Sequence, residues 1–299
     1  MSFMRRIFSI LIGVWIVYGA VSAANKALVI GIGEYPAENG WNRISGDKDV
    51  EYVIKTLEAN GYAKSDMVTL VNAEATRENI VRAFNNLIFT CRKGDNVYIH
   101  YSGHGQLVTD LNGDEQSGYD EAWVPYDAAL AYQPGAYEGE NHLLDDEINI
   151  MLHKLSKKIG AAGKLTVVSD ACHSGGVTCD VNEYNPDVTT GDTVVYRGAN
   201  SIFVMPQNGS EHFKTMQKPV SESWVAISAC QYYQSNKECV KIRCGSLTYA
   251  LYLLRDRLSS TSVNALVPKL KENVSVMANT KRQDPCADAP ESLMNKPIF

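Results

Sequence analysis

The sequence predicts an α/β protein of three layers, α/β/α, with a mostly parallel central sheet. Short apolar runs alternate with amphipathic segments of helical period, the order expected when each helix crosses back over a parallel sheet. The first run, 26–33, is apolar and ends in glycines, as a strand buried in a parallel sheet does. With 299 residues, 45% of them hydrophobic, the core needs neither metal nor disulfide to hold it. The 28 Lys+Arg against 34 Asp+Glu leave a net charge of −6, which argues against general nucleic-acid binding.

Residues 26–33 (KALVIGIG) form the first strand. A helix over 46–62 follows, with Val50, Val53, Ile54 and Leu57 on one face and Gly61 as its stop. The segment 66–71 is a second strand. Residues 76–91 form a helix that turns Ile80, Ala83, Phe84, Leu87 and Ile88 inward. The third strand, 95–101 (DNVYIHY), runs into Ser102-Gly103-His104-Gly105. The acidic stretch 107–122 reads as a hairpin or loop, and 143–159 as a helix. A fourth strand, 164–169 (KLTVVS), leads into Asp170-Ala171-Cys172-His173-Ser174-Gly175-Gly176. Residues 178–223 are long, polar and aperiodic. Residues 224–228 are a fifth strand, with helices over 246–258 and 263–278.

Residues 1–24 read as a secretory signal: Arg5 and Arg6 precede an apolar run over 7–21 and then Val21-Ser22-Ala23. The competing reading is an uncleaved anchor, since the run is long for a signal but short for a span. The expectation is an exported chain without stable membrane association, with 25–299 as one catalytic domain. Seven cysteines leave at least one thiol outside any intrachain pairing, and no CxxC pair suggests structural zinc.

Ligands in open parallel sheets bind beyond the C-terminal strand ends. His104 leaves the third strand there and Cys172 leaves the fourth, each beside glycines. A cysteine thiol with an imidazole to take its proton makes a nucleophilic acyl-transfer site. The amides of Gly103 and Cys172 are candidate oxyanion donors. A lone buried cysteine or a lone histidine is commonly structural. Together, at two strand ends, they point to catalysis.

Tyr101-Ser-Gly-His-Gly and Ser169-Asp-Ala-Cys-His-Ser-Gly-Gly resemble the two catalytic segments of the caspase fold, and specifically of metacaspases. The caspase signature has Gln two residues before the nucleophile and its His about 50 residues upstream. Here Asp170 stands at that place and the spacing is 172 − 104 = 68. The segments Ser45-Gly-Asp-Lys-Asp-Val, Tyr119-Asp-Glu-Ala-Trp-Val-Pro-Tyr-Asp, Ile227-Ser-Ala-Cys and Gly245-Ser-Leu-Thr-Tyr-Ala-Leu are similar to further family segments, so the resemblance covers about 26–258. It implies a larger-subunit-like region over about 25–180, a connecting loop over about 178–223 and a smaller-subunit-like region over about 224–299.

That resemblance implies cleavage of protein or peptide substrates after Arg or Lys, through a pocket with Asp49, Asp170 and, more loosely, Ser228. Two carboxylates favour a guanidinium or ammonium and repel an acidic side chain. A first-turn helix carboxylate is the competing reading for Asp49. The chemistry needs no cofactor, but the resemblance implies calcium as an activator, at Asp120, Asp145, Asp146 and Asp180. An acidic solvated hairpin and helix N-terminus would also explain the first three. The run 110–121 lacks an EF-hand's glycine at its sixth position. Family members are often cut between their two parts, and Arg197, Lys214 and Lys218 are the basic residues considered for self-cleavage. His173 reads as a structural neighbour of the nucleophile; His142, His153 and His212 read as surface groups. Alternatives are a caspase-fold peptidase of other specificity, a non-catalytic scaffold module, and a metal-ligand role for His104 and Cys172.

Overall fold

The computed structural model describes residues 23–172, 195–199, 201–206, 223–231, 234–279 and 282–299. In chain order the elements are β1 (Asn25–Gly31), α1 (Gly46–Ala59), β2 (Met67–Val71), α2 (Arg77–Thr90), β3 (Asn96–Ser102), β4 (Gly105–Thr109), β5 (Tyr119–Trp123) and β6 (Leu143–Leu144). Then come α3 (Asp145–Ile159), β7 (Lys164–Asp170), β8 (Val225–Ser228), β9 (Glu238–Cys239), β10 (Cys244–Gly245), α4 (Ser246–Leu253), α5 (Val263–Met277), β11 (Cys286–Asp288) and the short α6 (Glu291–Met294).

Six strands form the central sheet in the order β11-β8-β7-β3-β1-β2. All pairs are parallel except β11 with β8. Successive side chains on each strand point to opposite faces, and both faces are covered. Leu28 and Ile30 of β1 with Val97, Ile99 and Tyr101 of β3 pack against Ile80, Phe84 and Leu87 of α2 and Leu152 and Leu155 of α3. Ala27, Val29 and Tyr98 face the other way, onto Val53 and Leu57 of α1, Leu251 of α4 and Leu266 and Leu270 of α5. Each fully buried Val, Leu, Ile or Phe among these contributes about 1.5–3 kcal/mol. The three layers and mostly parallel sheet are those predicted.

Register is what sets up the site. Ser102 at the end of β3 lies opposite Asp170 at the end of β7, so the two polar loops leave the same edge of the sheet side by side. Gly46 starts α1 directly beneath them; a Cβ there would lie 2.5 Å from the Ser102 carbonyl oxygen, so only glycine lets the helix, and Asp49 one turn on, approach so closely.

The local structure can be set beside the sequence reading segment by segment. The helix expected from 143 begins at Asp145, because Leu143 and Leu144 are spent as the strand β6, paired with β5 and fully buried. The acidic stretch 107–122, read as a hairpin or loop, is a hairpin of β4 with β5 that forms a three-stranded side sheet with β6. The helix from 246 ends at Leu253 and continues as a 3-10 turn over Arg255–Ser260. The strands β9, β10 and β11, of two, two and three residues, are too short to carry a periodic signal and were not read at all. Among the described residues no helix is long and apolar enough to cross a membrane. Residues 1–22 of the expected leader lie outside the described residues.

Candidate active site

His104 follows β3 and its ring is held from three sides. It stacks on Trp41 at 4.8 Å between centroids, and Tyr35 lies at 5.2 Å. The Tyr101 hydroxyl donates to the His104 carbonyl at 2.7 Å. The ring Nε2 lies 2.8 Å from the Asn42 carbonyl, an oxygen that only accepts, so Nε2 carries the proton. Nδ1 therefore holds the lone pair; it is buried, with no hydrogen-bond partner among the described residues. Burial lowers the imidazole from its ordinary range to about 4, so it is neutral at neutral pH and free to take a proton at Nδ1.

Cys172 leaves β7 into the same edge. Its Sγ accepts a hydrogen bond from the Asn236 amide at 3.0 Å and lies 3.7 Å from the same residue's carbonyl oxygen. No described cysteine is in a disulfide; Cys239 and Cys244, opposite each other in the β9–β10 ladder, are buried thiols.

Arg197 lies across this edge and is fully buried. Its carbonyl oxygen accepts from the Cys172 amide at 2.9 Å and the Gly105 amide at 3.2 Å. Its own amide donates to the Asn236 carbonyl at 3.0 Å, and the Glu238 amide donates to the Val195 carbonyl at 2.9 Å. Residues 195–197 thus run antiparallel to 236–238, with a bridge between Tyr196 and Lys237. Gly198 follows against the thiol: a Cβ there would lie 3.0 Å from Cys172 Sγ and 2.5 Å from its Cβ.

The Arg197 guanidinium enters a cage of three carboxylates. Nη1 lies 2.7 Å from Asp49 and 3.6 Å from Asp170, and Nη2 lies 2.9 Å from Glu238. Nη1 also donates to the Ser102 hydroxyl and the Asp170 carbonyl, and Nε to Glu238 at 3.0 Å. Burial pushes the Asp49 carboxyl up to about 7, against the opposing pull of Arg197 and with help from the nearby Asp170 charge. Burial would raise Asp170 as well, but Arg197 and hydrogen bonds from Thr248 and Asn236 outweigh it and hold that carboxyl below its usual range. Three acids around one cation leave the cage short of positive charge.

Asp49 and Asp170 are therefore brought together, and with them Arg197, which is sealed inside the cage. Ser228 is placed elsewhere: it ends β8 in register with Ser169 and Cys286 and makes no ion-cage contact. The amides on the Arg197 carbonyl are those of Cys172 and Gly105, not Gly103. Gly103 instead packs against tyrosine hydroxyls, a Cβ there falling 2.6 Å from that of Tyr101. The sequence reading missed Glu238, Ser102, Asn236 and Gly105. Glu238 is brought in by a two-residue strand that no local signal announces. Gly105, however, was already visible as the second glycine around His104.

The acidic groups gather on the hairpin. Oxygens of Asp110, Asp114 and Asp120 lie within 4.8 Å of one another. Asp146 is tied to this group through Asn112, whose amide donates to it at 2.7 Å. Oδ1 of Asp120 and Oδ1 of Asp146 are buried without a hydrogen-bond partner among the described residues. Burial, reinforced by neighbouring carboxylates, pushes Asp120 up to about 8, Asp146 to about 6 and Asp145 well above its usual range. Asp120 thus shares its cluster with Asp110 and Asp114. Asp145 and Asp146 occupy the first turn of α3, and Asp180 lies outside the described residues, as do Lys214, Lys218, His173 and His212. His142, expected at the surface, is fully buried between the Tyr137 hydroxyl and Gln106 Oε1, each at 2.8 Å.

Solved structures with this architecture include a Geobacter sulfurreducens protein, with TM-score 0.65 and 24% identity over 92% of this chain and 98% of that one. Another is Caspase-1 from Spodoptera frugiperda, with TM-score 0.54 and 12% identity over 89% and 86%. At those identities they show a shared fold. Metacaspase-1 of Botryotinia fuckeliana is 36% identical over 166 residues, covering 53% of this chain and 36% of that protein. Metacaspase-1A of Aspergillus terreus is 37% identical over 166 residues, covering 53% and 38%. The chain thus spans little more than a third of the length of these curated relatives. The family model described as metacaspase, peptidase C14 domain, matches residues 25–181, just over half of the sequence and the part that builds β1 to β7 with His104 and Cys172 at its edge. On that match the chain belongs to the metacaspase peptidase C14 family.

Proposed function

We propose that this protein is a cysteine endopeptidase that cleaves polypeptides after Arg or Lys, and that the Arg197–Gly198 bond is its own first substrate. One observation carries the reading: residues 195–198 lie in the edge as a substrate would, with an arginine in an acidic cage and its carbonyl on two amides beside the thiol. Cys172 Sγ attacks the Arg197 carbonyl carbon as its proton passes to His104 Nδ1. The amides of Gly105 and Cys172 hold the negative charge that develops on the carbonyl oxygen. His104 returns the proton to the Gly198 nitrogen as the C–N bond breaks, and water then hydrolyses the thioester. The cage selects a cation through paired charge, the planar guanidinium fitting it better than an ammonium.

The test is hydrolysis of peptide reporters ending in Arg, Lys or Asp, together with mass analysis of the incubated chain. Cleavage after Arg and Lys and a fragment beginning at Gly198 are the expected results. Cleavage only after Asp would sink the cage as a specificity pocket.

The acid limb of the pH profile is expected to come from Asp49 rather than His104. Protonated Asp49 no longer pairs with a guanidinium; its carboxyl is held at about 7 with an arginine in the cage and rises further when the cage is empty, so KM for an Arg substrate rises as pH falls toward about 7. His104, held at about 4, stays neutral throughout that range. Asp49→Asn should flatten this limb in KM; a limb unchanged in the variant would assign it to another group.

Calcium as an activator fits the hairpin. The buried Oδ1 of Asp120, without a hydrogen-bond partner among the described residues, and the raised acids around it are what a hard divalent cation with oxygen ligands relieves. Asp110, Asp114 and Asp120 would hold it, with Asp146 beside them. A chelator is expected to lower reporter hydrolysis, and added calcium to restore it in the wild type but not in Asp120→Asn. Equal response of the two chains would rule out this cluster.

A further inference from the structure

Beyond Gly198 the described residues, 199 and 201–206, stay beside the site. Gly198 bridges Gly105 and Phe203 bridges Val108, both in the parallel sense, so the segment lies along the free edge of β4. The bridges are three residues apart on β4 and five apart on the segment, so the pairing is not continuous and Phe203 is a separate anchor point. There the backbone is held twice: the Phe203 amide donates to the Leu107 carbonyl at 2.8 Å, and the Thr109 amide donates to the Phe203 carbonyl at 3.1 Å. The Met205 amide donates to the Thr109 hydroxyl at 3.0 Å. Over 201–206 buried and exposed residues alternate, with Phe203 and Met205 inward and Val204 65% exposed, the pattern of a strand added to an edge.

The Phe203 ring fills a socket built by the connection between β5 and β6. Tyr137 meets it edge-on at 5.7 Å and Tyr132 at 6.1 Å, while the His142 ring lies at 4.6 Å. Gly139 forms the floor: its φ is +99°, and a Cβ there would lie 3.0 Å from the Phe203 ring. The socket is wired to the segment's backbone. The Tyr137 hydroxyl donates to His142 Nδ1, His142 Nε2 donates to Gln106 Oε1, and Gln106 Nε2 donates to the Ser201 carbonyl at 3.1 Å. Side-chain socket and main-chain edge together are what recognise an extended peptide elsewhere.

We infer that the β4 edge and this socket are a substrate subsite on the leaving-group side of the scissile bond, taking an aromatic side chain six residues beyond the cleaved Arg. The inference rests on the reading of Arg197–Gly198 as a substrate bond and adds a substrate class to it: extended polypeptides with an aromatic residue at that spacing. In this chain Phe203 is that residue, so after cleavage the new segment beginning at Gly198 stays tethered and competes with incoming substrate.

The test uses three internally quenched peptides: Val-Tyr-Arg-Gly-Ala-Asn-Ser-Ile-Phe-Val-Met, the same with Phe→Ala, and the same with Arg→Ala. They are given to the full wild-type chain and to Phe203→Ala, which vacates the socket; Phe203→Leu serves if that variant does not fold. The Phe peptide should exceed the Ala peptide at least tenfold in kcat/KM, through KM rather than kcat, and more so in the variant than in the wild type. The Arg→Ala peptide should not be cut. Equal rates for the Phe and Ala peptides, both cut after Arg, would overturn the subsite and leave the Arg reading intact. If no peptide is cut, the Arg reading fails; fluorescence anisotropy of the labelled Phe and Ala peptides then decides the socket, equal affinity overturning it as well.

Discussion

Cys172→Ala is expected to lower hydrolysis after Arg by about 10⁴-fold or more, the scale at which loss of a nucleophile removes covalent catalysis and leaves only binding and the oxyanion donors. The same variant is expected to keep the Arg197–Gly198 bond whole through prolonged incubation, whereas the wild-type chain yields a fragment beginning at Gly198. The two readouts separate two failures. Reporter hydrolysis surviving in Cys172→Ala would remove the thiol from the chemistry. A wild-type chain that cuts the reporter while its own bond persists would show that the seated segment is held for blockade rather than cleavage. Cys172 Sγ accepts from the Asn236 amide at 3.0 Å, and the change to Ala removes a single sulfur atom, so the variant should fold.

The second large effect is on the stability of the uncut chain. Arg197→Ala, made in the Cys172→Ala background so that cleavage does not intervene, leaves Asp49, Asp170 and Glu238 buried without their cation. Breaking a buried pair from one side costs about 3–5 kcal/mol. The deficit has a defined pH dependence. Asp49 already has a folded-state pKa raised to about 7 with Arg197 present, and loss of the cation raises it further. A carboxyl whose folded pKa exceeds its unfolded value binds more protons folded than unfolded, so stability falls as pH rises between the two. The variant should therefore lie well below its parent at pH 8 and recover part of the difference at pH 5. Urea unfolding at both pH values checks this; an equal gap at both would mean that the cage acids do not respond to the loss of Arg197.

Much of this molecule is written locally. The runs at β1, β3 and β7 are apolar on both faces because both faces are covered, and that pattern survives in the sequence without any knowledge of partners. The amphipathic stripes of α1 and α2 are likewise set by the sheet beneath them. His104 and Cys172 were legible because each follows a readable strand, and in a parallel sheet the ends of neighbouring strands share one edge. Asp49 and Asp170 were legible by position in segments that resemble a known family.

The tertiary structure alone decided how the cage is closed and what fills it. Glu238 comes from a two-residue strand 66 positions after Cys172, too short for any period to mark. Arg197 was visible as a basic residue in a polar stretch, but its burial depends on contacts from α1, β3, β7 and β9 at once, and such non-local pairing leaves no trace in a local window. The same holds for His142: a polar residue between glycine-rich and acidic neighbours reads as solvent-facing until Tyr137 and Gln106 supply both of its hydrogen bonds. Local sequence determines strands, helices and the reactive pair, because those depend on near neighbours. The contents of the pocket depend on which distant segments meet there, and only the folded chain determines that.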